Sequence, residues 1–271
     1  MNPAILVVSF GTTHLDTLQD NIARTEADIA AAFPGSSLYR AFTSKVVRFR
    51  LKKNLGIHVD SVEEAMARIA ADGHTHVVVQ PTLLIPGEEY DRLYAWVKEA
   101  AGPLHVSIGR PLLGGESDLD AITAILREAY PTAEDTVLLT MGHGTEHNAN
   151  DLYERLTEKF RAQDGAPMRL CTVEGKPSFA DAVQELAALP QRKVLLVPLL
   201  FVAGEHAKED MAGEGPKSLH SMLTAAGFHV SCVVRGLGQL QSVRDLYVQR
   251  ALEEARVFSG YAAQGSEKLS C

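Results

Sequence analysis

The run Ala4-Ile5-Leu6-Val7-Val8-Ser9-Phe10 is apolar almost without interruption. A strand reads this way when it is covered on both faces, as in a parallel sheet wrapped by helices. Residues 16–32 then change period, with Leu18, Ile22 and Ile29 at helical spacing until Phe33-Pro34-Gly35 ends the pattern. The alternation continues outward from there. Residues 38–42, 76–80 and 104–108 read as strands, and 61–72, 87–101 and about 117–130 as helices. Ser61 and Glu64 carry the spacing of a capping box. After Pro131-Thr132-Ala133-Glu134-Asp135 the order repeats, with strands at 136–141, 168–173, 193–198 and 229–234 and helices at 148–161, 178–188 and 217–226. A last helix at about 242–259 precedes a polar tail, 260–271. Strands and helices alternating at these lengths imply right-handed βαβ crossovers. The expected fold is α/β. Two pseudo-symmetric lobes, 1–132 and 133–271, each hold a parallel sheet flanked by helices, with an active-site cleft between them.

The halves also match in detail. Ser9-Phe10-Gly11-Thr12-Thr13-His14 aligns with Gly142-His143-Gly144-Thr145-Glu146-His147, and the segment from Pro81 to Glu89 aligns with that from Pro198 to His206. A third register sets Ala41-Phe42-Thr43-Ser44 on Val173-Glu174-Gly175-Lys176. Phe10 is thereby paired with His143, Phe42 with Glu174, and Glu89 with His206, so the second copy has gained imidazole and carboxylate. Open α/β sheets bind ligands beyond the carboxyl ends of their strands. His143, Glu174 and His206 each fall just past a strand of the second lobe, and Glu89 takes the matching place in the first. Two imidazoles and a carboxylate suit divalent Co, Ni, Fe or Zn rather than Cu(I) or Ca. Each residue also has a plainer reading. His143 between glycines could be a structural hydrogen-bonder, Glu174 a turn residue before Gly175-Lys176-Pro177, and His206 part of a solvated charge run in a loop with Glu205, Lys208, Glu209 and Asp210. Their common position in the duplication favours the metal reading. His147, beside an expected helix start, is at most a supporting residue, and the other histidines read as surface or structural.

Composition limits the remaining choices. The 271 residues are 46% hydrophobic, enough for two medium cores. A formal net charge of -8 argues against nonspecific nucleic-acid binding, which draws on basic surface. Cys171, Cys232 and Cys271 form no CxxC spacing, so neither a disulfide framework nor a thiolate site is expected. No basic segment precedes an export-type apolar run, and no apolar run approaches the ~20 residues that cross a bilayer. A cytoplasmic protein without membrane partners is expected. Gly142-x-Gly144 lacks both the Lys-Ser/Thr of a P-loop and the third glycine of a dinucleotide fingerprint, and no organic cofactor is expected. The oligomeric state stays open, a homo-oligomer included.

Six segments in register resemble the anaerobic cobalt chelatases of the CbiK type, sirohydrochlorin cobaltochelatases of the ferrochelatase-like superfamily. They are Ile5 to Thr12, Arg40-Ala41-Phe42-Thr43-Ser44, Gly87-Glu88-Glu89-Tyr90, Met141-Gly142-His143-Gly144, Val173-Glu174, and Val202-Ala203-Gly204-Glu205-His206-Ala207. The resemblance implies ATP-independent insertion of Co2+ into sirohydrochlorin on the route to cobalamin. It also implies that His143 is the catalytic and metal-binding histidine, Glu174 and His206 the other ligands, and Glu89 an acidic residue over the active site. Such a substrate carries carboxylates around its rim, and Lys45, Arg48, Arg50, Lys52 and Lys53 form the densest basic run, directly after Phe42-Thr43-Ser44. The plainer alternative is a solvated helix face, since Lys45, Arg48 and Lys52 share one helical side. Ser44 and Arg48, with Phe10, Gly11 and Thr12 at the end of the first strand, are the expected substrate-binding residues; for Phe10 a core position is the alternative. Three rivals stand beside this reading: insertion of Fe2+ or Ni2+, a metal or tetrapyrrole carrier without turnover, and a hydrolase with a metal-activated water. Affinity order alone does not choose among the ions. The hydrolase lacks a nucleophile motif and a second-metal carboxylate cluster.

Overall fold

The computed structural model describes residues 2–258; Ser259 of the expected last helix and the tail 260–271 lie outside the described residues. The first sheet contains β1 (Ala4–Ser9), β2 (Leu38–Phe42), β3 (His76–Pro81) and β4 (His105–Ile108), all parallel, in the order β2-β1-β3-β4. The second contains β5 (Thr136–Gly142), β6 (Met168–Thr172), β7 (Lys193–Pro198) and β8 (His229–Cys232), parallel in the matching order β6-β5-β7-β8. Strand order reverses between the first and third strands of each sheet, which is where such sheets open a crevice.

Every residue of β1 is buried, as its unbroken apolar run requires. Ala4, Leu6 and Val8 pack with Val62 and Met66 of α4 (Val62–Ala71) and with Leu93 and Val97 of α5 (Glu88–Ala100). Ile5 and Val7 point the other way, into a cluster shared by both lobes. In the second lobe Val137, Leu139 and Met141 pack outward against α8 (Phe179–Ala187) and α9 (Leu219–Ala225), while Leu138 joins the shared cluster. The capping box expected at Ser61 forms. Ser61 Oγ accepts from Glu64 N at 3.1 Å and Glu64 Oε2 from Ser61 N at 2.7 Å; Ser178 and Asp181 build a second box.

Three helical segments depart from the sequence reading. The first crossover is not one regular helix: α1 (Leu15–Thr17) leads through a π-helical stretch, Leu18–Ala23, into α2 (Arg24–Ala32). The basic run folds as α3 (Lys45–Leu55), whose Leu51 alone is fully covered. The loop expected around His206 is a π-helical turn, His206–Met211. The third alignment register also shifts. Pairing sets Ser9 beside Phe42 and Gly142 beside Thr172, so Phe42 corresponds to Thr172, and Glu174 corresponds to Ser44 instead of Phe42. A slip of two residues keeps each side chain on its face of the strand, so alternation cannot detect it.

The last helix of each half docks on the other half. α6 (Glu116–Ala129) lies on α7 (Asp151–Arg161), with Glu116 and Asp120 facing Arg155 and Lys159. α10 (Gln241–Ala255) crosses back onto α2 and β3. There the buried Arg250 donates to the carbonyls of Pro111 and Leu112, both at 2.6 Å, and to Asp118 Oδ1 at 2.9 Å. Burial alone would raise the Asp118 carboxyl; hydrogen bonds from Arg110 and the Gly114 amide, with Arg250 close by, hold it below its ordinary value. No helix among the described residues is long and apolar enough to cross a membrane. Arg250→Ala leaves Asp118 Oδ1 and two carbonyls without their donor in the interior, while Arg110 and Gly114 N still hold Asp118 Oδ2. It is expected to cost about 3–5 kcal/mol, seen in thermal melts as a Tm lower by about 10 °C.

Candidate metal centre at the mouth of the cleft

β5 ends at Gly142, and His143 is the next residue, its side chain 45% exposed. Glycine is required on both sides of it. A Cβ on Gly142 would meet the Tyr153 ring at 2.6 Å, and one on Gly144, at φ +80°, would sit 2.4 Å from the Glu174 carbonyl oxygen. Close backbone approach therefore brings the loops after β5 and β6 together, and Glu174 N donates to His143 O at 2.7 Å. Asn150 ties the same loops, accepting from Thr145 N at 3.3 Å and donating to Lys176 O at 3.1 Å. Below them lies Tyr153, whose hydroxyl burial pushes up to about 12, against the backbone amides of Gly144 and His143. Sequence reading missed both supports, because neither residue sits in a motif and their role appears only with the loop geometry.

His206 starts its π-helical turn eight residues past β7, on the far side of the crevice. Its ring lies edge-on to that of His143, centroids 4.8 Å apart and planes at 90°. Two imidazoles on one ion, each bound at about 2.1 Å, need centres roughly 4.5–5 Å apart for a bond angle near 90–100°. The spacing fits. His143 Nδ1 lies 3.0 Å from Gly144 O, and His206 Nδ1 lies 2.6 Å from Asp210 Oδ2. With Nδ1 the protonated nitrogen on each ring, both Nε2 atoms keep a free lone pair. Glu174 Oε2 stands 3.9 Å from His143 Nδ1. Its side chain, 62% exposed, must swing to share an ion with the two Nε2 atoms.

The other sequence-derived residues follow the strands of the first lobe. Glu89, in the first turn of α5, faces Arg92 at 3.7 Å. Phe10 is half exposed just past β1, and Gly11, at φ +98°, lies so close to the Phe42 ring that a Cβ would meet it at 2.5 Å. Thr12 is buried, its Oγ1 accepting from His14 N at 3.2 Å. Ser44 is the N-cap of α3, accepting from Val47 N at 3.3 Å. Arg48 turns toward α4, 3.7 Å from Glu64, and with Phe42, Lys45, Ser61 and Trp96 lines a recess of ≈ 220 Å³.

Two contacts bridge the lobes in matching places. His147 Nε2 faces Asp91 Oδ2 at 3.4 Å, and His14 Nδ1 faces Lys208 Nζ at 3.4 Å. His14 aligns with His147, and Asp91 with Lys208, so each lobe reaches the other with the same two positions. His147 also caps the helical turn Asn148–Asn150, its Nδ1 accepting from Ala149 N. Among the described residues, the tightest potential ligand cluster is elsewhere: His58, Asp60 and Glu64, with ligand atoms within 4.8 Å of one another. Its acids are already neutralised. Arg68 pairs with Asp60 at 2.7 Å, and Glu64, bonded to Ser61 N, faces Arg48.

The family model for the cobalt chelatase CbiK matches residues 3–256. The chain belongs to the CbiK cobalt chelatase family. It is 35% identical over 251 residues to the sirohydrochlorin cobaltochelatase of Salmonella typhimurium, covering 92% of this chain and 94% of that one. It is 33% identical over 253 residues to the sirohydrochlorin cobaltochelatase CbiKC of Nitratidesulfovibrio vulgaris, covering 90% and 87%. In fold it is similar to SirB from Bacillus subtilis with Fe3+, at TM-score 0.67 and 16% identity, covering 97% and 100%. CbiK membership makes the chain a metal chelatase with the two-lobed α/β architecture that its sequence implied. Within this chelatase Gly144→Ala should force the His143 and Glu174 loops apart, at a cost of about 1–3 kcal/mol from strained backbone alone. Gly204→Ala, where a Cβ meets nothing within 4 Å, should melt with wild type. Thermal unfolding of the two variants side by side is the check.

Proposed function

We propose that this chelatase inserts Co2+ into sirohydrochlorin without ATP, in cobalamin biosynthesis, with His143, Glu174 and His206 holding the incoming ion. The perpendicular approach of the two imidazoles at 4.8 Å across the crevice carries this reading. The relatives named sirohydrochlorin cobaltochelatase support the choice of metal and macrocycle. Co2+ is here a substrate, which must be bound, stripped of water and released. Three protein ligands with open positions let the ring nitrogens displace the remaining waters one at a time. Ligands 41–62% exposed can follow the ion as it leaves. Insertion also expels two pyrrole N–H protons, and Glu89 or His143 accepts them.

The macrocycle's carboxylates need cations on a chain of net charge -8. α3 supplies Lys45, Arg48, Arg50, Lys52 and Lys53 with no acid among them, and its Val46 and Phe49 lie exposed. Phe10, half exposed, gives an apolar wall for the ring face, with Gly11, Thr12, Ser44 and Arg48 around it. The net negative charge argues against nonspecific nucleic-acid binding. Fe2+ and Ni2+ fit the same donor set, so selection among the ions rests on supply and rate.

The test is an anaerobic spectroscopic assay with sirohydrochlorin and Co2+, Fe2+ or Ni2+ in turn. His143→Ala and His206→Ala are each expected to lose about 100-fold or more of the enzymatic rate. Wild-type rates in both would end the assignment, and pigment binding without turnover by the unaltered protein would favour a carrier. Glu89→Gln should lower the maximal rate while leaving Co2+ affinity unchanged. Acidifying the assay should reduce activity, because imidazole must be neutral to bind the ion.

A further inference from the structure

Asp210 has a contact that its exposure does not explain. Its Oδ2 lies 2.6 Å from His206 Nδ1, the length of a charge-assisted hydrogen bond, yet both side chains are more than two-fifths exposed. An ion pair so wet contributes little to stability. The backbone is also unusual at this point. From His206 to Met211 the chain winds as a π-helix, whose turn takes in more residues than the 3.6 of an α-helix. A wider turn brings positions four apart more nearly above one another, which sets the Asp210 carboxylate under the ring of His206.

The duplication gives an internal control. The offset that sets Pro81 on Pro198 and Glu89 on His206 also sets Leu93 on Asp210. Leu93 belongs to a regular α-helix and is fully buried in the first lobe's core. The copy with a carboxylate at the cleft thus has an apolar core residue one turn on, and the copy with an imidazole has an acid there.

We infer that Asp210 is the positioning residue for His206: by accepting from Nδ1–H it fixes the tautomer and ring plane, so that Nε2 meets the incoming divalent ion. The inference rests on the reading of His206 as a metal ligand. Asp210 touches neither the ion nor the macrocycle, and it acts only through the ring. His143 obtains the same service from the backbone, through Gly144 O at 3.0 Å. A carboxylate also makes the imidazole a stronger donor than a carbonyl does, so Asp210 sets how tightly the ion is held before transfer.

The experiment titrates Co2+ into the purified protein without tetrapyrrole, following the visible absorption of the bound ion, and then measures insertion at varied Co2+. Asp210→Ala is expected to weaken Co2+ binding about 10- to 100-fold and to raise the KM for Co2+ in proportion, with kcat within a few-fold of wild type. Asp210→Asn, which keeps an acceptor of the same shape without the charge, is expected to bind Co2+ with an affinity between those of Asp210→Ala and wild type and to melt with wild type. Wild-type Co2+ affinity in Asp210→Ala, alongside lost affinity in His206→Ala, overturns the positioning role and leaves the ligand assignment standing. Unchanged affinity in His206→Ala removes the ligand assignment and the inference with it. If Asp210→Ala does not fold, the Asn variant decides: a loss of Co2+ affinity of twofold or more with wild-type stability supports the role, and affinity within twofold of wild type overturns it.

Discussion

Apolar side chains from both sheets meet in one buried cluster between the lobes, running from Ile5 and Val7 of β1 through Leu119 and Ile122 of α6 to Leu138 and Val197 of the second sheet, and closed by Tyr247 and Ala251 of α10. The lobes therefore do not hinge as separate bodies with separate interiors. Each sends its last helix to cover the other, so burial that stabilises one half also fixes its angle to its twin. The loops past β5, β6 and β7 converge with the first lobe's α5 because of that shared interior. Polar contacts at the rim add little area but set the width of the opening. The matched pairs His147 with Asp91 and His14 with Lys208 span it at corresponding points.

Within this near-symmetric frame the chemistry is one-sided. The first lobe presents Phe10, Ser44 and Glu89 where the second presents His143, Glu174 and His206. Its residues are suited to receiving an apolar ring and a proton, whereas those of the second are suited to receiving a cation. Ser44 shows how a mate can be diverted: it caps α3, while Glu174 projects from a loop held by Asn150 and Gly144. Under the proposed roles, division of labour of this kind follows when a duplicated crevice must grip two different substrates at once.

The strands and most crossovers were legible because each obeys one period throughout. β1 and β7 are apolar runs and α4 carries its own capping box, so local rules and tertiary demands agree there. The matching placement of Glu89 and His206, each eight residues past its strand, was also legible, since their segments align with equal loop lengths. What stayed hidden has physical causes. The two-residue slip between Phe42 and Ser44 preserves strand facing, so no pattern could mark it. α3 has apolar residues, but Val46, Phe49 and Leu55 face solvent and only Leu51 is fully covered, so they mark no single buried stripe. The π-helical turn at His206 has a polar, charged sequence that favours no regular period, and its shape depends on Ala207 and Met211 reaching the core. Tyr153 and Asn150 belong to no motif, and the glycines that admit them are common residues.

The exposure of the three proposed ligands bears on why a chelatase is built from loops on a rigid base. A buried set would hold the ion through several desolvated bonds, and its release to the macrocycle would be slow. Here the anchor points are rigid, because Gly142, Gly144 and Tyr153 leave the His143 backbone no room to move, while the side chains remain wet. Glu174 is the most exposed of the three and stands on the Nδ1 side of His143, away from the position an ion would take. Under the proposed assignment it is the ligand that can arrive last and depart first. An ion held firmly by two oriented imidazoles and loosely by a swinging carboxylate keeps one coordination edge exchangeable, and that edge is where the first ring nitrogen can enter.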